Sequence, residues 1–204
     1  MRIYNQSNKY FLGGTMSNKT YDKTIKKDEA LSTYDTNQRS KVLDMVITAM
    51  FIALTFVITG YINIRIPFLA SNGGLIHLGN VPLFIAAAVY GKRTGAIAGA
   101  VGMGLFDLLG PWATWAPFTF IICGLIGYVF GLITEKHSSK PFLIVAVFAA
   151  AVIKVVGYYI AEIILYGNFI APVTSIPGNL VQIFVAGIIA VPIIIILKKA
   201  LKYN

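Results

Sequence analysis

The chain has 204 residues, of which 57% are hydrophobic and only 12% are charged. This balance lies outside the range of soluble globular domains and predicts a membrane protein. The formal net charge of +9 does not indicate a nucleic-acid partner, because the basic residues lie at the ends of apolar segments and form no aromatic-interleaved patch.

The amino-terminal region is polar. Residues 1–41 are rich in Lys, Asn, Thr, Ser and Asp and have no apolar period, which is typical of a flexible segment. Nothing in residues 42–204 resembles a linker between domains. We therefore expect a flexible tail over residues 1–41 and one membrane domain over residues 42–204.

Six apolar segments follow the tail. They cover residues 42–60, 76–91, 94–109, 117–134, 142–166 and 178–197. Most are near the length of about 20 residues that crosses a bilayer, although the second and third are shorter. The break between those two contains Lys92 and Arg93, whose burial at the bilayer centre would cost about 5 to 7 kcal/mol, so we expect a loop there. The sequence predicts an all-α bundle of six transmembrane helices.

The distribution of basic residues sets the orientation of these helices. Eight Lys and Arg lie in the tail, two at Lys92 and Arg93, two at Lys136 and Lys140, and three beyond residue 197, whereas the alternate loops hold only Arg65. The positive-inside rule then places both termini in the cytoplasm. We expect a multi-pass protein of the cell membrane, with a cytoplasmic tail.

Small residues recur every four positions at three places in the sequence. Ala49 and Ala53 lie in the first segment, Gly91, Gly95 and Gly99 lead into the third, and Gly127 and Gly131 lie in the fourth. This spacing puts small side chains on one helix face, where another backbone can approach closely. The neighbour is either another helix of the same bundle or a partner membrane protein.

Motifs for catalysis are missing from the sequence. The Gly91-Lys92 pair has Ala86 where a phosphate-binding loop needs glycine, and Arg93 follows the lysine. There is no G-x-S-x-G elbow and no H-E-x-x-H pair. The single cysteine, Cys123, allows no disulfide framework and no structural zinc spacing. We expect neither a catalytic site nor a metal site, and no ATPase activity of the chain's own.

Polar side chains gather toward the outer half of the membrane in this topology. The candidate ligand contacts are His77, Asn80, Asp107, Trp112, Trp115, Thr119, Lys154, Tyr158, Glu162, Asn179 and Gln182. Charged groups at membrane depth usually face the bundle interior, where they pair or bind a ligand. Apolar walls with a few convergent polar groups are typical of small-molecule pockets. We therefore expect a pocket for a small heteroaromatic ligand that opens outward.

The fifth segment supplies the most costly residue of this set. Lys154, Tyr158 and Glu162 are spaced by four and lie on one helical stripe about 12 Å long. Lys154 lies near the middle of the bilayer, where a lysine needs a ligand or a buried carboxylate, unless its side chain reaches the membrane surface.

Most of the other candidates also have a structural alternative. His77 and Asn80 lie where they can cap the second helix, and Asn179 lies where it can cap the sixth. Trp112 and Trp115 fit the aromatic belt at a membrane surface. Asp107 can instead be held by a structural partner, as can Glu162.

Several ordered motifs give the chain a family resemblance. They are Ile64-Arg65-Ile66-Pro67, Gly73-Gly74-Leu75-Ile76-His77-Leu78-Gly79-Asn80, Tyr90-Gly91-Lys92-Arg93-Thr94-Gly95-Ala96, Asp107-Leu108-Leu109-Gly110, Trp115-Ala116-Pro117-Phe118-Thr119-Phe120 and Ile176-Pro177-Gly178-Asn179-Leu180-Val181-Gln182. Over about residues 42–200 the chain resembles the substrate-binding S components of energy-coupling factor (ECF) vitamin transporters, in the riboflavin-type branch that includes proteins assigned to hydroxymethylpyrimidine and pyridoxine.

The resemblance implies a function and a set of partners. An S component captures a vitamin from outside, here best taken as hydroxymethylpyrimidine or pyridoxine, and passes it inward by toppling within the membrane. A transmembrane T subunit and two ATP-binding A subunits drive this step, and no cofactor is implied. In the family an A-x-x-x-A face on the first helix meets the T subunit, and Ala49 and Ala53 match it. The loop at about residues 61–76 would close over the ligand.

One departure from the family pattern leaves the substrate open. Many relatives carry a lysine in the fourth helix where this chain has Ile122-Cys123-Gly124. Either Lys154 supplies a comparable charge from the fifth helix, or the ligand differs, so riboflavin or another vitamin is the alternative. The alternative class is a proton-coupled secondary transporter that uses Asp107, Glu162 or His77, although the segments show no clear internal repeat.

Overall fold

The computed structural model describes residues 18–65, 74–137 and 139–202. The described residues form six α-helices and one pair of short strands, which confirms the all-α class. The helices are α1 (Asn18–Tyr61), α2 (Asn80–Tyr90), α3 (Lys92–Leu109), α4 (Ala116–Thr134), α5 (Lys140–Tyr166) and α6 (Ile176–Lys202), and the strands are β1 (Asn63–Arg65) and β2 (Leu75–His77). Of the loop expected over residues 61–76, residues 66–73 lie outside the described part.

Four of the helical stretches in the described residues are long and apolar enough to cross a membrane. They are Ser40–Tyr61, Ala113–Thr134, Lys140–Tyr166 and Ala171–Leu201. Helix α2 has only 11 residues and α3 has 18, so their lengths are about 17 and 27 Å against a hydrocarbon core of about 30 Å. The count of six spans and the orientation of the termini stay predictions.

The connections around α2 differ from the predicted ones. The second segment is predicted to begin at residue 76, but residues 75–77 pair with β1 and α2 begins only at Asn80. The predicted loop between the second and third segments is also shorter, because Lys92 and Arg93 already belong to α3. Gly91, with φ of 96°, makes the turn alone, a conformation that favours glycine.

The chain divides into two compact units, residues 1–43 and 44–204. In the first unit, residues from Asn18 onward are helical, whereas the composition predicts a flexible segment over residues 1–41. Extending an existing helix costs far less than nucleating one, so polar residues can continue an apolar helix without an apolar period of their own. Residues 1–17 of the expected tail lie outside the described residues, and the tail as a separate region stays a prediction.

The second unit has a core in which α3 and α4 approach each other through glycines. A Cβ atom on Gly127 would strike the carbonyl of Gly95, and one on Gly131 would strike the backbone of Lys92. Phe84 of α2 and Phe130 of α4, both fully buried, stack nearby with ring centres 4.3 Å apart. The glycine spacing in the fourth segment therefore serves internal packing.

Replacing Gly127 with alanine is expected to destabilise the protein by about 1 to 3 kcal/mol, because the added methyl group has no space and must push α3 away from α4. Thermal unfolding in detergent measures the effect. The matched control is Gly178→Ala, since no atom lies within 4 Å of the added Cβ there. Equal unfolding temperatures for the two variants would contradict the close helix contact.

Candidate ligand-binding site

A pocket lies in the second unit between β2, the carboxyl end of α3, the connection from α3 to α4, and helices α5 and α6. Its lining residues are Leu75, His77, Asp107, Trp112, Trp115, Lys154, Tyr158, Asn179 and Gln182. Eight of these nine are among the contacts expected from the sequence, and only Leu75 is additional. The cavity volume of about 60 Å³ is below the range of about 300 to 1,000 Å³ usual for ligand sites. A vitamin ring therefore requires part of the wall to move.

Lys154 places a positive charge deep in the bundle. The residue is 1% exposed, so its side chain does not reach the membrane surface. Its Nζ atom lies 5.0 Å from the ring centre of Tyr158, one turn along α5, which is within reach of a cation–π interaction. Among the described residues no carboxylate is within ion-pair distance of this ammonium. The arrangement leaves its three N–H donors available to a ligand.

Asp107 is held at the pocket by a chain of hydroxyl groups. Thr119 of α4 donates a hydrogen bond to Oδ2 of Asp107, and the Thr119 oxygen lies 3.1 Å from the hydroxyl of Tyr158. Since the Thr119 proton points to the carboxylate, the Tyr158 hydroxyl is the donor in the second bond. Thr119 is itself buried and absent from the pocket lining. Its contacts orient two lining residues that come from two other helices, Asp107 of α3 and Tyr158 of α5.

His77 presents one donor to the pocket. It lies in β2, outside the helices, and its Nδ1 atom accepts a hydrogen bond from the backbone N–H of Gly79 at 3.2 Å. Burial, followed by the charge of Lys154, lowers the pKa of His77 to about 3. The imidazole is therefore neutral at physiological pH, and its proton lies on Nε2.

Two tryptophans form the aromatic part of the wall. Trp112 stacks on Phe106 with ring centres 5.6 Å apart, and the guanidinium carbon of Arg65 lies 4.3 Å from the Trp112 ring centre. Trp115 lies 6.3 Å from the Tyr158 ring. Arg65, an exposed residue of β1, was not among the expected contacts, although it is the only basic residue in the loops assigned to the outside. Both indoles line the pocket, whether or not they also mark the membrane surface.

Three expected contacts lie outside the pocket lining. Asn80 is fully buried in the first turn of α2 and donates from Nδ2 to Oε1 of Gln182 at 3.5 Å. It makes no capping bond, because the N-cap position is Gly79. Thr119 lies behind Asp107, as described. Glu162 is fully buried and accepts a hydrogen bond of 2.8 Å from Ser175, in the 3-10 turn that leads into α6.

The comparisons with known proteins agree on one family. Residues 39–199 match the model of the "ECF-type riboflavin transporter, S component" family. A solved structure described as "Structure and mechanism of the S component of a bacterial ECF transporter" is similar with a TM-score of 0.60 and 25% sequence identity, over 79% of this chain and 99% of that one.

Two curated relatives are also similar in sequence. The thiamine precursor transporter HmpT of Lactococcus lactis subsp. cremoris (strain MG1363) is 30% identical over 146 residues, which are 72% of this chain and 82% of the relative. An uncharacterised protein of Pyrococcus woesei is 31% identical over 104 residues, which are 51% of this chain and 69% of that protein. The chain belongs to the family of ECF-type riboflavin transporter S components and is a membrane transport subunit that binds substrate, not an enzyme.

Proposed function

We propose that this S component captures hydroxymethylpyrimidine, or a ring of similar size such as pyridoxine, from outside the cell. The observation that carries the proposal is the pocket, in which a buried ammonium, a carboxylate and a neutral imidazole face two tryptophans. The similarity to a thiamine precursor transporter supports this substrate class, since hydroxymethylpyrimidine is such a precursor.

The chemistry of the ligand matches the donors and acceptors of the wall. Hydroxymethylpyrimidine has two ring nitrogens that accept hydrogen bonds, an amino group that donates, and a hydroxyl group that does both. Lys154 and His77 donate, Asp107 accepts, and the indoles of Trp112 and Trp115 offer flat faces to an aromatic ring. Riboflavin, with three fused rings and a ribityl chain, is the alternative ligand, and it would need a larger displacement of the wall than a single ring needs.

A vitamin panel tests the substrate directly. The purified protein is heated with hydroxymethylpyrimidine, pyridoxine, thiamine, riboflavin or pantothenate, because a ligand that binds only the folded state raises the unfolding temperature. We expect the largest shift with hydroxymethylpyrimidine or pyridoxine. A shift with riboflavin alone would assign the chain to the alternative substrate.

We further propose that the chain lies in the cytoplasmic membrane with six spans and cytoplasmic termini, and that it works with a T subunit and two ATP-binding A subunits. The exposed side chains of Ala49 and Ala53 on α1 support the partner surface. A groove of about 660 Å³ runs beside Ala49, and its wall includes Thr48 and Ile52 of α1 together with Lys92 and Arg93 of α3. Such a groove beside small residues allows another helix to approach closely.

Replacing Ala49 with leucine is expected to reduce the amount of T subunit that co-purifies by at least about fivefold, since overpacking a close helix contact costs about 1 kcal/mol or more. Ligand binding to the isolated chain should not change. The control is Ile121→Phe on α4, which enlarges a side chain that is already 70% exposed. Equal co-purification of both variants would place the partner surface elsewhere.

The energy source separates this proposal from a proton-coupled carrier. Vesicles that contain this chain together with the T and A subunits should accumulate labelled hydroxymethylpyrimidine only when ATP is supplied. An uncoupler should leave uptake intact while ATP is held constant. Uptake that continues without the ATPases and stops with the uncoupler would favour the secondary transporter.

A further inference from the structure

Strand β2 supplies one part of the pocket wall. Alternate residues of a strand face the same side, and both Leu75 and His77 line the pocket, whereas Ile76 between them does not. The position of this short strand therefore sets two lining residues together. Since the cavity is too small for a vitamin ring, part of the wall must move, and a displacement of this strand would shift both residues at once.

Two amide side chains tie the strand pair to the helices. Gln182 of α6 donates from Nε2 to the carbonyl of Leu75 at 2.6 Å. On the other strand, Asn63 donates from Nδ2 to the carbonyl of Thr59 in the last turns of α1 at 3.1 Å. Only Gln182 also lines the pocket. Of the two amides, Gln182 is therefore the one that contacts both the pocket and the strand.

A second arrangement is open to the Gln182 amide. The Oε1 atom of Gln182 faces the Nδ2 group of Asn80 at 3.5 Å, and the N–H groups of Gln182 therefore point to Leu75. The Oδ1 atom of Asn80 is fully buried and has no hydrogen-bond partner among the described residues. An unpaired buried acceptor costs free energy until a donor reaches it. If both amides turn over, Gln182 Nε2 can donate to this acceptor, while the Leu75 carbonyl and the Nδ2 group of Asn80 lose the bonds that they make now.

We propose that Gln182 is a positioning residue that holds β2 against the pocket, and that its transfer from the Leu75 carbonyl to Asn80 frees the strand to admit the ligand. The ligand part of this proposal rests on the proposed function. The strand part rests only on the contacts of Gln182, so the two can be tested apart.

The test uses Gln182→Met, which keeps the length of the side chain and removes its hydrogen bonds. The mobility of the strand pair is measured with a spin label attached to Ile64→Cys in β1, where the side chain is 65% exposed. The label is introduced into a Cys123→Ala background, because Cys123 is the single cysteine of the sequence. In the protein without ligand, Gln182→Met should make the label more mobile. It should also speed the dissociation of hydroxymethylpyrimidine about three- to tenfold, the effect of losing one hydrogen bond.

The matched control is Asn179→Leu, because Asn179 lines the same pocket one turn earlier on α6. If Gln182 only contacts the ligand, both variants change ligand affinity and neither changes the mobility of the label in the ligand-free protein. That result, in variants whose thermal unfolding shows an intact fold, would overturn the positioning role. If no vitamin binds yet Gln182→Met still frees the label, the proposed function fails and the positioning role stands.

Discussion

Lys154→Met is expected to weaken the binding of hydroxymethylpyrimidine by about 1.5 to 3 kcal/mol, or about 10- to 150-fold in Kd. The ammonium is almost fully buried at the pocket, and the partner found for it among the described residues is the aromatic ring of Tyr158, so its donors are available to a ring nitrogen or hydroxyl of the ligand. Charge-assisted hydrogen bonds in such a site are about twice as strong as neutral ones. Calorimetric titration of the purified protein measures the loss.

Stability separates this effect from simple unfolding. A buried charge costs free energy in an apolar setting, so the ligand-free Lys154→Met protein should unfold at the same temperature as the parent or a higher one. The control is Lys140→Met, which makes the same change on an exposed site of α5 about 21 Å away along the helix. If both variants bind as the parent does, Lys154 does not contact the ligand.

Asp107→Asn is expected to weaken binding by a similar amount, because the amide keeps the shape of the side chain but loses the charge that accepts from an amino group. Thr119 can still donate to the remaining oxygen, so the bonds that orient Tyr158 should persist. Affinity is again measured by titration calorimetry, and Asp44→Asn on the exposed surface of α1 is the control.

An analogue of the ligand makes the role of Asp107 specific. In hydroxymethylpyrimidine with hydrogen in place of the 4-amino group, the proposed partner of the carboxylate is missing. Asp107→Asn should then change the affinity for this analogue by less than about twofold, as the logic of a double-mutant cycle requires. Equal losses for the vitamin and for the analogue would show that Asp107 acts elsewhere in the pocket.

Hydropathy predicts the bounds of α4 and α5 closely, because an apolar run of about 20 residues is the length that crosses a bilayer. The fourth segment, residues 117–134, corresponds to α4 at Ala116–Thr134, and the fifth, residues 142–166, corresponds to α5 at Lys140–Tyr166. The sixth helix runs past its predicted end at residue 197. Lys198 continues this helix and donates to the carbonyl of Thr134 at 2.6 Å, so a basic residue marks the end of the apolar stretch without ending the helix.

The pocket is predicted in part for a related reason. The predicted topology and the spacing of polar residues bring His77, Lys154 and Gln182 to one place, because the predicted directions of the segments put these residues at the same end of the bundle. Leu75 is not predicted, because it reaches the pocket from the three-residue strand β2. A short apolar run in the sequence does not show whether a strand or a helix begins there. Glu162 shares a stripe with Lys154 but lies two turns farther along α5, where it bonds Ser175 instead.

Titration of the purified chain with hydroxymethylpyrimidine shows whether this pocket binds this ligand, and it needs no partner subunit. We expect saturable binding of one molecule per chain, retained in Lys140→Met and weakened at least about tenfold in Lys154→Met. Absence of binding to a folded protein, or binding of equal strength in both variants, would contradict the assignment of this pocket to this ligand.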